Sequence, residues 1–170
     1  FFFFFTNIRI FQKFRGEESG WSWLTEQQTN TFLVDRLFDY DIRNSAEVSE
    51  VNLIISVSAE IAATRIHAVK SADIPTYVLR SSYQGFDAIK SPTDANDFIR
   101  TFRCEAIEQI RQDFPKISII NLFPATPVCL PVRIGMNYLK NADVEWRMYN
   151  QRGEDGFMYA LSIKGGNEDE

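Results

Sequence analysis

The sequence predicts an α/β fold in which a mostly parallel sheet carries helices on both faces and ends in a β-hairpin. Residues 51–57 (VNLIISV) form a near-continuous apolar run, typical of a strand that is buried on both faces. From there on, strand patterns alternate with helix patterns, an order that favours parallel strands joined by helices. Finally, residues 144–151 and 157–164 flank a glycine-containing loop, which indicates a terminal hairpin.

Composition and charge limit the classes of function. The chain has 170 residues, 45% of them hydrophobic and 24% charged, which is ordinary for a globular domain with a sizeable core. Its formal net charge is -5, so its overall field does not favour a long nucleic acid. A small anion is still compatible with this charge, because a few N–H groups and an arginine can act locally.

The first fifty residues differ from the rest. Residues 1–14 are aromatic and are interpreted as a strand, and residues 24–40 carry apolar side chains at roughly helical spacing. Because the chain opens on five Phe rather than Met, we expect either that it begins inside a larger protein or that the residue identities of its first few positions are uncertain. We divide it into a partial N-terminal segment (1–50), a main α/β unit (51–164) and a frayed tail (165–170).

The longest helix is predicted to begin at Pro92, after a strand over residues 75–80. Ser91 is placed to cap it, and Pro92 occupies the first helical position, where a missing N–H costs no bond. Asp94 completes a capping box. Apolar side chains then recur at three- and four-residue steps as far as Phe114.

The main candidate site follows the next strand, residues 117–122. We call residues 123–127 (FPATP) the proline turn. Thr126 is expected to cap the following helix with Pro127 at its first position, and Pro131 is expected to bend its first turns. Ligands of open parallel sheets bind outside the carboxyl ends of strands, and N–H groups at helix starts favour anions.

A second turn of the same kind follows residues 51–57. In this serine turn, residues 56–59, Ser58 is expected to cap a helix over residues 59–69. It has neither the glycines of a dinucleotide fingerprint nor the Lys-Ser/Thr of a P-loop. Taken alone, it indicates a plain N-cap serine.

Few residues suit metal or nucleophilic chemistry. Cys104 and Cys129 lie in apolar helical segments and are expected to be buried free thiols. His67 is the single histidine, so Cys/His zinc clusters are excluded. No cofactor or metal is expected. The five initial Phe lack the features of a signal peptide and no run is long enough to span a membrane, which favours the cytoplasm.

These segments resemble a known family. The chain is similar to the second half of a SAVED domain. The similarity lies in the FPATP turn with the Arg-Ile-Gly helix that follows it, in the FMYALSI strand, and in the segments NLIISVSAEI and PTYVLRSS. SAVED domains consist of two fused Rossmann-like units related to the CARF domains of CRISPR systems. The resemblance covers residues 21–164 and implies a Rossmann-like (CARF-like) sheet, with residues 1–50 as the remnant of a first unit.

The resemblance implies a sensor of cyclic tri- or tetranucleotide second messengers in bacterial antiphage defence of the CBASS or CRISPR type. Such a sensor binds its ligand, associates with itself and activates a fused or partner effector, namely a nuclease, a TIR domain or a protease. It implies ligand binding and no catalytic residue. The expected ligand contacts are Ser56, Ser58, Ala59, Tyr83, Phe123, Pro124, Ala125, Thr126 and Arg133.

These residues have different expected roles. Phosphates suit the N–H groups at Ala59 and near Thr126, and the serine and threonine hydroxyls can donate to phosphate or base. Tyr83 or Phe123 can stack on a base, although Phe123 fits a core position equally well. Arg133 can reach the ligand or form a surface ion pair.

Two alternatives from other classes remain. One is an α/β enzyme that acts on nucleotides, such as a ring nuclease, although the turns carry no paired carboxylates or histidine and the nearest acids, Asp73 and Asp87, look like loop residues. The other is a structural or oligomerisation subunit whose degenerate pocket binds nothing.

Overall fold

The computed structural model describes residues 12–13, 21–23, 30–38, 47–153 and 156–165. Predictions that fall on other residues, including most of the aromatic N-terminus and the acidic tail, lie outside this part of the chain. The strands are β1 (Gln12–Lys13), β2 (Trp21–Ser22), β3 (Phe32–Arg36), β4 (Glu50–Ser56), β5 (Thr76–Ser81), β6 (Ile119–Ala125), β7 (Glu145–Gln151) and β8 (Phe157–Ile163). The helices are α1 (Ala63–Ile66), α2 (Pro92–Thr101), a π-helical segment (Phe102–Ile107), α3 (Glu108–Asp113) and α4 (Cys129–Met136).

The main sheet has six strands in the order β3-β5-β4-β6-β7-β8. Its central strands β5, β4, β6 and β7 are parallel, and β3 and β8 pair antiparallel at the two edges. Strands β7 and β8 form the C-terminal hairpin, whose loop uses Gly153 and Gly156 at positive φ, a conformation that glycine adopts without strain. The predicted mixed α/β sheet with helices and a terminal hairpin is confirmed.

Strand β4 is the centre of the structure, and the two faces of the sheet are covered unequally. Val51, Leu53 and Ile55 of β4 point into the larger core, together with apolar side chains of α2, α3 and α4. Ile54 points to the opposite face, where a smaller cluster includes Ile66 of α1. Side chains alternate along a strand, so a strand with helices on both faces is apolar at nearly every position.

The long helix begins as its sequence predicts. Ser91 Oγ accepts a hydrogen bond from Asp94 N at 3.1 Å, and Asp94 Oδ2 accepts one from Ser91 N at 3.0 Å, so the capping box is complete. The sequence did not indicate the π-helical segment. Its Phe102 stacks on Phe98 and meets the edge of Trp146, which anchors the helix over β7.

The helix predicted over residues 24–40 is wrong for the part that the structure describes. Residues 32–36 form β3, which pairs along its length with β5 of the main sheet. Phe32 is buried and Val34 packs on the larger core, whereas Leu33 and Leu37 are 56% and 48% exposed. Tertiary pairing overrides helical spacing here, because alternate residues of an edge strand already find a core to pack on.

The same edge strand is fixed to the helical layer. Arg36 donates two hydrogen bonds to Asp113, from Nε at 2.8 Å and from Nη2 at 2.7 Å. The hydroxyl of Tyr77 donates to the same carboxylate. Burial raises the pKa of Tyr77 and the bond to Asp113 raises it further, so this phenol stays protonated over the physiological range. Residues 32–36 therefore pair with the unit assigned to residues 51–164, although the division at residue 50 itself stays a prediction.

Asp143 connects the helical layer to the loop before β7. Its side chain is 0% exposed and accepts from Arg103 Nη1 at 2.8 and 2.9 Å, from Arg111 Nη2 at 3.4 Å and from Leu139 N at 2.7 Å. A buried carboxylate with this many donors is costly to remove, because its guanidinium partners then remain partly buried without their counter-charge.

We therefore expect Asp143→Ala to lower the free energy of unfolding by about 3 kcal/mol. The matched control is Asp97→Ala, which removes a half-exposed carboxylate 3.9 Å from Arg100 and should cost less than about 0.5 kcal/mol. Urea unfolding followed by circular dichroism measures both. Equal losses for the two variants would contradict the role assigned to Asp143.

The capping box gives a second stability prediction. Ser91→Ala removes the acceptor for Asp94 N and should lower the free energy of unfolding by about 1 kcal/mol. Thr93→Ala, at an exposed position of the same turn, is the control and should change it by less than about 0.5 kcal/mol. A Ser91 variant as stable as the parent chain in urea titration would count against the cap.

Candidate functional site

The serine and proline turns lie side by side at the carboxyl edge of the sheet. Ser56 and Ala125 are the last paired residues of the β4–β6 ladder. Beyond them, the carbonyl oxygen of Ala125 accepts from Val57 N at 3.0 Å and from Ser58 N at 2.8 Å. One carbonyl thus fixes the exit of β4 against the exit of β6.

The loop after β5 joins this edge. Gly85 N donates to the carbonyl of Val57 at 3.3 Å, and Gln84 Nε2 reaches the carbonyl of Ser56 at 3.4 Å. Sequence reasoning included Tyr83 from this loop and missed Gln84. The available signal was topological, since Gln84 follows a strand that neighbours β4 in a parallel sheet.

The two serines of the serine turn have different partners. Ser56 is buried, and its Oγ accepts from Ile61 N at 3.2 Å, which folds the following loop back over the strand end. Ser58 Oγ is buried and makes no hydrogen bond with any residue that the structure describes. A buried hydroxyl without a protein partner is uncommon, and either an ordered water or a ligand group can complete its hydrogen bonding.

The helix predicted over residues 59–69 is wrong in its start. Helix α1 covers only Ala63–Ile66, Ala62 occupies its N-cap position, and no side chain caps it. Val57 N and Ser58 N donate to the Ala125 carbonyl and Ile61 N donates to Ser56 Oγ, and these hydrogen bonds keep the chain between them out of the helix. Ser58 is therefore not a helix cap, and the exposed Ala59 does not lie at a helix start.

The helix start predicted at the proline turn is also wrong. Pro124 and Ala125 belong to β6, and α4 begins at Cys129 with Val128 at the N-cap position and no side-chain cap from Thr126. The register with β4 holds this part of the chain extended. Strand β7 pairs with β6 only as far as Leu122, which is consistent with the missing N–H of Pro124 two residues later.

Pro131 accordingly lies in the first turn of α4 rather than inside the helix. The N–H groups of a first turn have no intrahelical acceptor, so proline removes no hydrogen bond there. Thr126 is half-buried between the end of β6 and α4.

Phe123 is a core residue. Its side chain is 0% exposed, stacks on Tyr149 with ring centroids 4.7 Å apart and meets the edge of Phe157 at 5.2 Å. The ring therefore presents no surface on which a base could stack. Of the two roles considered for Phe123, the structure shows the core position.

Tyr83 is available at the surface. Its side chain is 46% exposed, and its hydroxyl donates to Asp87 Oδ1 at 2.9 Å. This hydrogen bond raises the pKa of Tyr83. Burial alone would raise the pKa of Asp87, but the bond from Tyr83 and the nearby Lys90 reverse its direction and lower it. The hydroxyl is thus held by Asp87, and Lys90 Nζ lies over the ring at 5.6 Å from its centroid.

Arg133 extends from α4 toward α2. Its Nη1 donates to Asn96 Oδ1 at 2.7 Å, which is a hydrogen bond to an amide rather than the surface ion pair considered above. Its Nε is buried and has no acceptor within the described part of the chain. Arg133 is the fifth residue of α4, the helix that follows β6.

The described residues offer little for covalent or metal chemistry. Burial raises the pKa of the Cys129 thiol to about 11, so it is not a thiolate nucleophile near neutral pH. Cys104 is exposed, contrary to expectation, and neither cysteine forms a disulfide with a residue that the structure describes. Among residues 12–13, 21–23, 30–38, 47–153 and 156–165, no cluster of three His, Cys, Asp or Glu side chains suits a metal ion. No helix among them is long and apolar enough to cross a bilayer.

Comparison with protein families identifies the domain. The model described as "SMODS-associated and fused to various effectors sensor domain", abbreviated SAVED, matches residues 5–163. The chain belongs to the SAVED family. The resemblance inferred from the FPATP turn and its neighbouring strands is therefore confirmed, and it extends into the N-terminal segment.

Solved structures with a similar fold include a bacterial receptor bound to cyclic trinucleotides. The Cap4 SAVED/CARF-domain containing receptor of Acinetobacter baumannii with the cyclic trinucleotide 3'3'3'-cAAA superposes with a TM-score of 0.62 at 16% identity. The same receptor with 2'3'3'-cAAA gives a TM-score of 0.58 at 16% identity. Each superposition covers 82% of this SAVED chain and 28% of the receptor chain, so the chain spans just over a quarter of the receptor's length. No curated protein matches the chain.

The cysteine environments predict a difference in reactivity. With Ellman's reagent at mildly alkaline pH, the exposed Cys104 should react quickly, while the buried Cys129, with its raised pKa, should react only after denaturation. Cys104→Ser should abolish the fast phase. If two thiols per folded parent chain reacted in the fast phase, the burial of Cys129 would be contradicted.

Proposed function

We propose that this SAVED domain is the ligand-binding part of a cyclic-oligonucleotide sensor in bacterial antiphage defence. The observation that carries the proposal is the carboxyl edge itself, where Ala125 holds the two turns together and the buried Ser58 hydroxyl has no partner among the described residues. Family membership supports a sensing role. The cyclic trinucleotides in the Cap4 structures suggest the chemical class of ligand.

The groups at this edge suit the parts of such a ligand. Phosphate oxygens need donors, which the hydroxyls of Ser58 and Thr126 and the guanidinium of Arg133 supply. The exposed ring of Tyr83 offers a face for a base. Ala59, Pro124 and Ala125 contribute backbone and small surface next to these donors, which allows close approach of a ligand.

A sensor of this type acts through an effector. We assign ligand binding to this domain and propose that the effector, a nuclease, TIR domain or protease, lies on other sequence; the coverage of just over a quarter of the Cap4 receptor is compatible with this division. We further propose that ligand promotes self-association and that the module acts in the cytoplasm, where a diffusible messenger reaches it.

Binding should be accompanied by stabilisation. Titration of 3'3'3'-cAAA into the purified chain should raise its Tm, since a ligand at about a hundred times its Kd adds about 2.7 kcal/mol to stability. Failure of every member of a cyclic di-, tri- and tetranucleotide panel to raise Tm or give calorimetric heat would refute the sensor function.

The unpartnered hydroxyl gives a sharper test. Ser58→Ala should weaken binding by about tenfold, because it removes a hydrogen bond to a charged group, and should leave the Tm of the free chain within error. Ser49→Ala is the matched control, since Ser49 is exposed just before the opposite end of the same strand. Equal affinities for the Ser58 and Ser49 variants would remove Ser58 from the site.

Turnover is tested separately. After prolonged incubation with the chain, the ligand should be recovered intact by chromatography, because the site is proposed to bind and not to cleave. Linear products that depend on the chain would favour the ring-nuclease alternative.

A further inference from the structure

A cavity of about 230 Å³ lies under the serine turn, on the face of the sheet that α1 covers. Its walls are partly apolar, from Ile61, Val78 and Leu37, and partly polar, from Ser56, Gln84 and the charged side chains of Glu60 and Arg80. Ser56 therefore belongs both to the carboxyl edge and to this cavity. The cavity is smaller and more polar than most drug-sized ligand sites, so it suits a single small group that has both apolar faces and a polar edge.

The charges of the cavity argue against a phosphate. Arg80 donates to Asp35 from Nε at 2.7 Å and also from Nη2, so its positive charge is already balanced on the sheet surface. Glu60 adds a further carboxylate to the wall. Two carboxylates beside one guanidinium make the local field negative, which favours a neutral group that carries N–H donors over an anion.

The polar groups match the edge of an amino-bearing base. An amide offers a donor and an acceptor side by side, the pattern that pairs with the N6 and N7 atoms of adenine, and a carboxylate accepts from an exocyclic amino group. Gln84 uses one amide N–H in a 3.4 Å contact with the Ser56 carbonyl, a long bond that a ligand can replace at little cost. Glu60 supplies the carboxylate.

The apolar groups match the faces of the same base. Ile61 and Val78 are buried, and the partly exposed Leu37 lies among the lining residues. A planar heterocycle buries apolar area against such side chains, whereas a hydrated phosphate or ribose does not.

We propose that this cavity is a base pocket that receives one amino-bearing nucleobase, adenine in the first instance, of the ligand bound at the carboxyl edge. This rests on the proposed sensor function and adds which residues select the base. The phosphate of that nucleotide lies toward Ser58, and its base passes Ser56 into the cavity, where Gln84 and Glu60 read its edge. Tyr83 lies outside this pocket and serves a different base.

The selectivity is tested with Gln84→Ala and two ligands, cyclic triadenylate and cyclic triuridylate, by calorimetry. Loss of the hydrogen bonds to one base edge should lower the affinity for cyclic triadenylate by about five- to a hundredfold. The affinity for cyclic triuridylate should change by less than about twofold, so the ratio of the two affinities should fall. An unchanged ratio of the two affinities would overturn the assignment of Gln84.

The cavity itself is tested by filling it. Ala62→Leu places three extra carbons on the cavity wall and should lower the affinity for cyclic triadenylate by at least about tenfold. Ala68→Leu is the matched control, an exposed alanine just after α1 and outside the cavity, and should bind like the parent chain. Wild-type affinity of the Ala62 variant, with its Tm unchanged, would overturn the pocket.

The two levels of proposal fail in different ways. A parent chain that binds no cyclic oligonucleotide refutes the sensor function and the pocket together. The other outcome is that the parent chain binds cyclic triadenylate, that Ser58→Ala weakens this binding, and that Gln84→Ala and Ala62→Leu leave it unchanged. That result supports the sensor function and refutes the base pocket alone.

Discussion

The pairing of β4 with β6 is the constraint on which the rest of this domain depends. Their parallel register runs from Glu50 opposite Ile119 to Ser56 opposite Ala125, so the two strands end together. Because the Ala125 carbonyl then binds both Val57 N and Ser58 N, the two turns cannot separate without breaking the sheet. A ligand site built on this junction is preorganised by the most buried strand of the structure, which lowers the entropic cost of binding.

The unequal covering of the two faces gives that edge its shape. The helices α2, α3 and α4 pack on one face over the central strands, and Asp113 and Asp143 connect this layer to the strands and loops beneath it. On the other face, the described residues contribute the short α1 and a smaller apolar cluster. A cavity lies on this second face, close to the same turns.

Local signals in the sequence predicted much of this arrangement. The apolar run of β4, the capping box at Ser91 and the glycine-containing hairpin each depend on residues close together in the chain, and all three are found in the structure. The starts of α1 and α4 were wrong, because distant hydrogen bonds and the β4 register hold those residues extended. Gln84 was missed because its partner, the Ser56 carbonyl, is remote in sequence.

By itself, the sequence determined the alternation of strands and helices, the two polar turns after buried strands and the family resemblance, since each is encoded by residue type and short spacing. Only the tertiary structure decided that residues 32–36 form an edge strand, that Phe123 is buried and that Ser58 Oγ is left without a partner among the described residues. These outcomes depend on which strands become neighbours. That choice is made by packing across the whole sheet and not by any one segment.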